Sequence, residues 1–144
     1  MDEGNANGTI YLDTKYPPSY WGITATLSKV ANVEIKAGTA KSTALDFNSD
    51  NLKGFSPTAI FTPSTWSSAK IGLEVSLDGT TWFGLHQWFS GAFDTQNNAT
   101  ALSCHTIDGF PLRGMPFVRV VSGTIANPVN QTNTCIIPIL CGTI

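Results

Sequence analysis

The two histidines, His86 and His105, are the first residues to consider for chemistry, because an imidazole can act as a general base or bind a metal ion. His105 directly follows Cys104, and neighbouring residues on a strand point to opposite faces, so this pair cannot hold one metal ion. The sequence has no C-x-x-C motif, no H-E-x-x-H motif and no spaced Cys/His cluster. We therefore expect no metal site and no cofactor.

The carboxylates give no better case for catalysis. Asp78 and Gly79 lie between two predicted strands, where this dipeptide is typical of a tight hairpin turn rather than of a calcium loop. The other aspartates are scattered, so a glycosidase pair can be neither proposed nor excluded. The chain has no nucleophile elbow and no phosphate-binding glycine loop. We predict that the protein is not an enzyme and has no catalytic residues.

The tryptophans suggest a different kind of site. On a regular strand Trp82 and Trp88 would share one face, with His86 between them. An exposed aromatic platform of this kind could stack on sugars. Burial in the core, or against another subunit, is the more common environment of such large side chains.

Composition limits the classes of partner. Only 12% of the 144 residues are charged, about half the usual share. Eight Lys and Arg against ten Asp and Glu leave a net charge of −2, so nucleic acid is not an expected partner. Charged residues are depleted from the centres of protein interfaces, so this composition favours a subunit packed on others. A stable domain without an obligate partner is the alternative.

No apolar segment reaches the roughly 20 residues that a membrane span needs, so we expect no membrane association. The first residues are acidic and polar and do not resemble a signal peptide, which predicts synthesis in a cytoplasm. Of the three cysteines, Cys135 and Cys141 would be about 20 Å apart on one strand, beyond disulfide reach. We expect three reduced, buried thiols, Cys104 included.

Hydrophobic alternation predicts the fold. Ile71, Leu73, Val75 and Leu77 should point inward and Glu74 and Ser76 outward, with Asp78 and Gly79 turning the chain into a return strand over 81–88. Further strands are predicted near 23–27, 32–37, 58–62, 100–103, 117–121 and 134–141. This pattern predicts an all-β fold, an antiparallel β-sandwich of about eight strands over residues 20–144, with jelly-roll and Ig-like topologies both open.

The last predicted strand is apolar on both faces. Its cysteines and two of its isoleucines share one face, and Ile136, Pro138 and Leu140 share the other. Pro138 cannot donate a ladder hydrogen bond, so we expect an edge at that point. An apolar edge strand needs a cover. We therefore predict self-association and name Ile136 and Leu140 as partner contacts.

Residues 1–19 form a predicted extended arm, because glycines, asparagines and prolines interrupt any regular element there. Aromatic side chains on a polar arm suggest docking onto a neighbouring subunit. Wrapping around its own domain is an equal alternative. The predicted contact residues outside the last strand are Tyr11, Tyr16, Pro17, Tyr20 and Trp88.

Several segments of the C-terminal half occur in an order that resembles a known family. They are Ser64-Thr65-Trp66, the strand 71–76, Asp78-Gly79-Thr80-Thr81-Trp82, Phe117-Val118-Arg119-Val120, Ser122-Gly123-Thr124 and Pro128-Val129-Asn130-Gln131. Together they resemble small accessory proteins of tailed bacteriophages. The resemblance does not extend to the N-terminal half. It implies a virion structural protein with a sandwich or jelly-roll fold and no catalytic residues.

Similar phage proteins decorate the head and bridge neighbouring major capsid subunits, often as trimers. The resemblance therefore implies a capsid decoration, or cement, protein on the outer surface of the virion. Its partners would be the major capsid protein and further copies of itself, with a trimer favoured. A neck, tail or fibre component is one alternative. A carbohydrate-binding module is the other, with a glycan as partner.

Overall fold

Residues 27–85, 97–107, 112–124 and 126–143 are described by a computed structural model. These residues form nine β-strands and no α-helix, which confirms the all-β prediction and slightly exceeds the expected number of strands. The strands are β1 (Ser28–Ile35), β2 (Leu45–Asp46), β3 (Phe55–Phe61), β4 (Ala69–Ser76), β5 (Phe83–Gly84), β6 (Asn97–Ala99), β7 (Cys104–Thr106), β8 (Phe117–Ser122) and β9 (Cys135–Thr143).

The strands form two antiparallel sheets. The four-stranded sheet has the order β1-β9-β3-β7. The second sheet has the order β2-β8-β4-β5, and β6 pairs with β4 beside this path. Strands close in sequence are seldom neighbours, so most of the pairing joins distant parts of the chain. The predicted antiparallel sandwich is confirmed.

The core lies between the two sheets. β-branched residues dominate it, and they fit the half-buried surface of a pleated strand. The four-stranded sheet contributes Val33, Ile35, Ile60, Ile137 and Ile139, and the second sheet contributes Ile71, Leu73, Val75, Val118 and Val120. Each such side chain contributes about 1.5–3 kcal/mol when it is fully removed from water. These side chains hold the sheets face to face.

β9 is an interior strand of the four-stranded sheet, since it pairs with all of β1 on one side and with β3 on the other. The expected edge strand is therefore wrong for β9 as a whole. At Pro138 the expectation holds locally, because the pairing with β3 ends at Ile139, opposite Ile60. The missing N–H donor lies where the ladder has already stopped.

β4 follows the predicted alternation, with two corrections. Leu77 is 74% exposed rather than inward, because β4 ends at Ser76 and Leu77 already belongs to the turn. Glu74 and Ser76 lie on the outer face, as predicted, but are buried there by polar partners instead of facing water. Gly79 has φ +82°, the left-handed conformation that the predicted turn requires.

Two further predictions differ from the structure. The predicted strand over 100–103 contains the turn between β6 and β7, and Cys104 at the start of β7 is exposed. Cys135 and Cys141 are free and buried on β9, as expected. The return strand after the hairpin is only Phe83–Gly84 within the described chain. The arm over 1–19 lies outside the described residues.

Candidate interaction surface on the outer face of the four-stranded sheet

The outer face of the four-stranded sheet is formed by alternate residues of its strands. Residues opposite each other in an antiparallel ladder share a face. Val30 of β1 lies opposite Leu140 of β9, which in turn lies opposite Ala59 of β3. In the next rows Asn32 is opposite Pro138 and Glu34 is opposite Ile136. Apolar side chains thus occupy most positions on this face.

An apolar depression of about 510 Å³ lies at one end of this face. We call these lining residues the apolar patch: Phe61, Thr62, Pro63, Leu102, Ser103, Cys104, Ile136 and Pro138. Phe61 is 38% exposed, Ile136 48% and Leu102 78%. No charged side chain is among the lining residues. The patch offers contact area to an apolar partner and little that would bind an ion.

Leu102 stands out in the patch because of its backbone. Its φ is +57°, a left-handed conformation that costs a leucine roughly 1–2 kcal/mol. Within the described chain it is the one residue other than glycine with a positive φ. The turn around Leu102 is therefore held against a local conformational preference while it presents an apolar side chain to water.

The buried side chain of Thr62 holds this turn. Leu102 N donates to Thr62 O at 3.1 Å, and Ser103 N donates to Thr62 Oγ1 at 2.8 Å. Thr62 Oγ1 in turn donates to Thr100 O at 2.6 Å. These bonds satisfy the backbone groups that the tight turn would otherwise leave unpaired. The conformation of the turn that carries Leu102 is thus fixed by hydrogen bonds to Thr62.

Two polar side chains at the patch, the lining residue Ser103 and its neighbour His105, lie within hydrogen-bond distance of each other. Ser103 Oγ and His105 Nε2 are 2.9 Å apart, but Ser103 Oγ also donates to Thr100 O at 2.7 Å. Cys104 and His105 are adjacent on β7, so their side chains leave opposite faces. Within the described ranges, no group of three metal-binding side chains comes together.

A buried ion pair lies on the second sheet. Glu74 is only 3% exposed and lies directly opposite Arg119 in the ladder between β4 and β8. Arg119 Nη2 is 2.6 Å from Glu74 Oε1, and Lys41 Nζ is 3.3 Å from Oε2. Both oxygens of the Glu74 carboxylate are thus engaged within the sheet, so this carboxylate does not offer a free oxygen to a ligand.

The Arg119 guanidinium also lies over the Trp82 ring, 4.1 Å from its centroid. One face of that ring is therefore engaged in a cation–π contact. This occupies a face that a stacked sugar would need. Trp88 and His86, the other two members of the predicted platform, lie outside the described residues.

The turn after β4 has the structure of a hairpin turn rather than of a calcium loop. Asp78 Oδ1 accepts hydrogen bonds from the N–H groups of Thr80 and Thr81, each at 2.8 Å. The hydrogen bond from Thr81 N–H has the larger effect and that from Thr80 N–H the next, and together they hold the pKa of the Asp78 carboxyl well below its usual range. The carboxylate is thus used within its own turn.

The structure brings together two of the predicted contact residues. Ile136 lines the apolar patch, and Leu140 lies on the same outer face, half-buried. Tyr11, Tyr16, Pro17, Tyr20 and Trp88 lie outside the described residues. The sequence analysis missed Phe61 and Leu102. For Leu102 the usual signal of a left-handed turn was absent, because such positions favour glycine or asparagine.

The fold and this surface define an all-β sandwich domain with an exposed apolar face. No protein-family model, curated protein or solved structure matches the chain. The described ranges contain no helical segment with the length and hydropathy of a membrane span.

Proposed function

We propose that this protein is a structural component of a tailed-phage virion, a decoration protein that attaches to the outside of the capsid shell through the apolar patch. The observation that carries the proposal is the exposure of Phe61, Leu102 and Ile136 around one depression on a rigid sheet. Contiguous exposed apolar surface on a folded domain is typical of a site of protein contact. The resemblance of its C-terminal motifs to those of phage accessory proteins supports a capsid shell as the partner.

The physics of a shell suits a patch of this size. One shallow apolar contact gives modest affinity, but further contacts on the same repeating lattice raise the overall affinity without a deep pocket. A protein that binds only the assembled shell also stabilises it by mass action. The patch has no lining charge that would be left buried and unpaired on docking.

The test is binding of the purified protein to phage heads that lack it. The wild type should bind in proportion to the number of capsid subunits and raise the temperature at which the heads open. Leu102→Ser and Ile136→Lys, which alter the patch, should each lower occupancy at a given protein concentration. Leu77→Ser is the matched control, because Leu77 is as exposed as Leu102 but follows β4 in the other sheet.

Copy number distinguishes the alternatives. Occupancy limited to a single ring of sites would assign the chain to the neck, tail or fibre. Equal occupancy by wild type and both patch variants would reject the patch as the attachment site. Glycan binding that disappears in Trp88→Ala would favour the carbohydrate-binding alternative, and no contact in the described chain favours it now.

A further inference from the structure

Among the described residues β1 is the outermost strand of the four-stranded sheet, and part of its backbone points away from the sheet. Thr143 N donates to Leu27 O at 3.1 Å, which fixes the phase of the ladder between β1 and β9. Hydrogen-bonded and non-hydrogen-bonded pairs alternate in an antiparallel ladder. Lys29 and Ala31 therefore bond to β9, whereas Ser28, Val30 and Asn32 direct their N–H and C=O groups outward. Asn32 faces Pro138 in a non-hydrogen-bonded pair, which agrees with this phase.

The outward N–H and C=O groups of β1 have hydrogen-bond partners at one end of the strand, within the described ranges. At Glu34 they are paired with Thr43, whose Oγ1 accepts from Glu34 N at 3.0 Å and whose N–H donates to Glu34 O at 2.9 Å. For Ser28, Val30 and Asn32 no outward hydrogen-bond partner is found within the described ranges. The open edge is thus a short segment with a defined end, and Val30 at its centre is 61% exposed.

We propose that two copies of this chain pair edge to edge through β1, antiparallel and about a two-fold axis at Val30. Several registers would let outward groups meet, but only the register centred on Val30 uses the outward groups of all three residues in both copies. It places Val30 opposite Val30 and Ser28 opposite Asn32, and it forms about six backbone hydrogen bonds. In this dimer the outward N–H and C=O groups of Ser28, Val30 and Asn32 all find backbone partners in the second copy.

The side chains are compatible with this register. Val30 meets Val30 on the outer face, where an apolar cross-strand pair is favourable. Lys29 falls opposite Ala31, so no like charges oppose each other. Lys29 Nζ is also 3.1 Å from Asn51 Oδ1 within its own subunit. Because Thr43 occupies the outward groups of Glu34, the ladder between the two copies ends there. The two-fold pairing uses the β1 edge of both copies and is therefore closed, so it does not continue into an open fibril.

The pairing has a geometric consequence. A two-fold axis between edge strands of one continuous sheet is perpendicular to that sheet, so the two outer faces point the same way. Both apolar patches would then face a single partner surface. This step rests on the proposed function, because it would make attachment to the shell bivalent. The dimer itself does not depend on that function.

The first test is amide hydrogen exchange of the full chain over a range of concentrations. The Val30 and Asn32 amides should exchange more slowly as concentration rises, in proportion to the dimer fraction measured by light scattering. The Lys29 and Ala31 amides bond to β9 and should be protected at every concentration. Phage heads are not needed, so failure here is separate from failure of the proposed function.

The second test uses charge at the axis. Val30→Lys alone and Val30→Glu alone should each raise the dimerisation Kd by about tenfold or more, because like charges would lie directly opposite each other. An equimolar mixture of the two variants should dimerise again. Val30→Pro should weaken the dimer on the order of tenfold, since it removes an outward donor and no bond to β9. Leu77→Lys is the control and should leave the Kd unchanged.

Three results would overturn the proposal. The first is a monomer at all concentrations, and the second is a trimer that is indifferent to charge at position 30. The third is concentration-independent protection of the Val30 and Asn32 amides that disappears on deletion of residues 2–16, since the chain's own N-terminal segment would then cover the edge. Circular dichroism of each variant confirms that it folds.

Discussion

The side-chain amide of Gln131 pairs with the backbone of Ser67 as a neighbouring strand would. Ser67 N donates to Gln131 Oε1 at 2.7 Å, and Gln131 Nε2 donates to Ser67 O at 3.0 Å. Nε2 also donates to Ser122 Oγ at 2.8 Å. The side chain is 1% exposed and joins the segment before β4, the end of β8 and the approach to β9.

Gln131→Ala should therefore lower the free energy of unfolding by about 2–4 kcal/mol, because it leaves buried backbone and hydroxyl groups without partners and opens a cavity. Urea denaturation followed by fluorescence measures this change. Thr132→Ala, at the next and exposed residue, is the control and should stay within about 0.5 kcal/mol of wild type. Equal stability of the two variants would contradict the role assigned to the amide.

Gly123 is required both for its positive φ and for the lack of space at its Cβ position, and comparison with Gly38 separates these two effects. Its φ is +87°, and a Cβ there would lie 2.6 Å from both Asn127 O and Val129 N. Gly38 has a similar φ of +80° but nothing within 4 Å of its Cβ position. Gly38→Ala should cost about 1 kcal/mol from the backbone conformation alone, and Gly123→Ala about 3 kcal/mol because a clash is added. Thermal unfolding of both variants tests the difference, and equal costs would show that the loop after Gly123 moves aside easily.

The Glu74–Arg119 pair should behave as a coupled unit. Removing one partner leaves the other charge poorly solvated, so Glu74→Ala should cost about 3 kcal/mol or somewhat more. The double variant with Arg119→Ala should cost less than the sum of the two single variants. Lys41→Ala should cost less than about 1 kcal/mol, because the Lys41 side chain is 44% exposed and its contact is screened by water. Additive losses in the double-mutant cycle would show that the pair is not coupled.

These contacts show what the sequence could and could not predict. Alternation identified the inward faces of β4 and β9 correctly, because a residue's face depends only on the period of its own strand. The Asp78-Gly79 turn was also predictable, because it depends only on adjacent residues. The burial of Glu74 was not predictable in this way, since it depends on Arg119 and Lys41, which lie 45 and 33 residues away. Alternation assigns a face but does not tell which neighbouring segment covers it.

The candidate surface was predictable to the same degree. Ile136 and Leu140 were found because a strand that is apolar on both faces is unusual on the outside of a sandwich. The outward display of Leu102 depends on Thr62, a buried hydroxyl whose partners lie 38 and 41 residues further along the chain. The strand order decides which exposed side chains meet, and the spacing of apolar residues does not contain that order.

The last prediction concerns the cysteines, all three of which were expected to be buried. Cys104 is exposed in the patch, whereas Cys135 and Cys141 are buried on β9. Burial raises the pKa of the Cys141 thiol to about 11, although nearby Lys29 opposes the shift, so this thiol stays protonated in neutral buffer. Because the thiolate is the reactive form, iodoacetamide should modify Cys104 in the folded protein and the other two only in urea. Peptide mapping by mass spectrometry reads out the sites, and rapid native labelling of Cys135 or Cys141 would show that β9 is more accessible than its interior position implies.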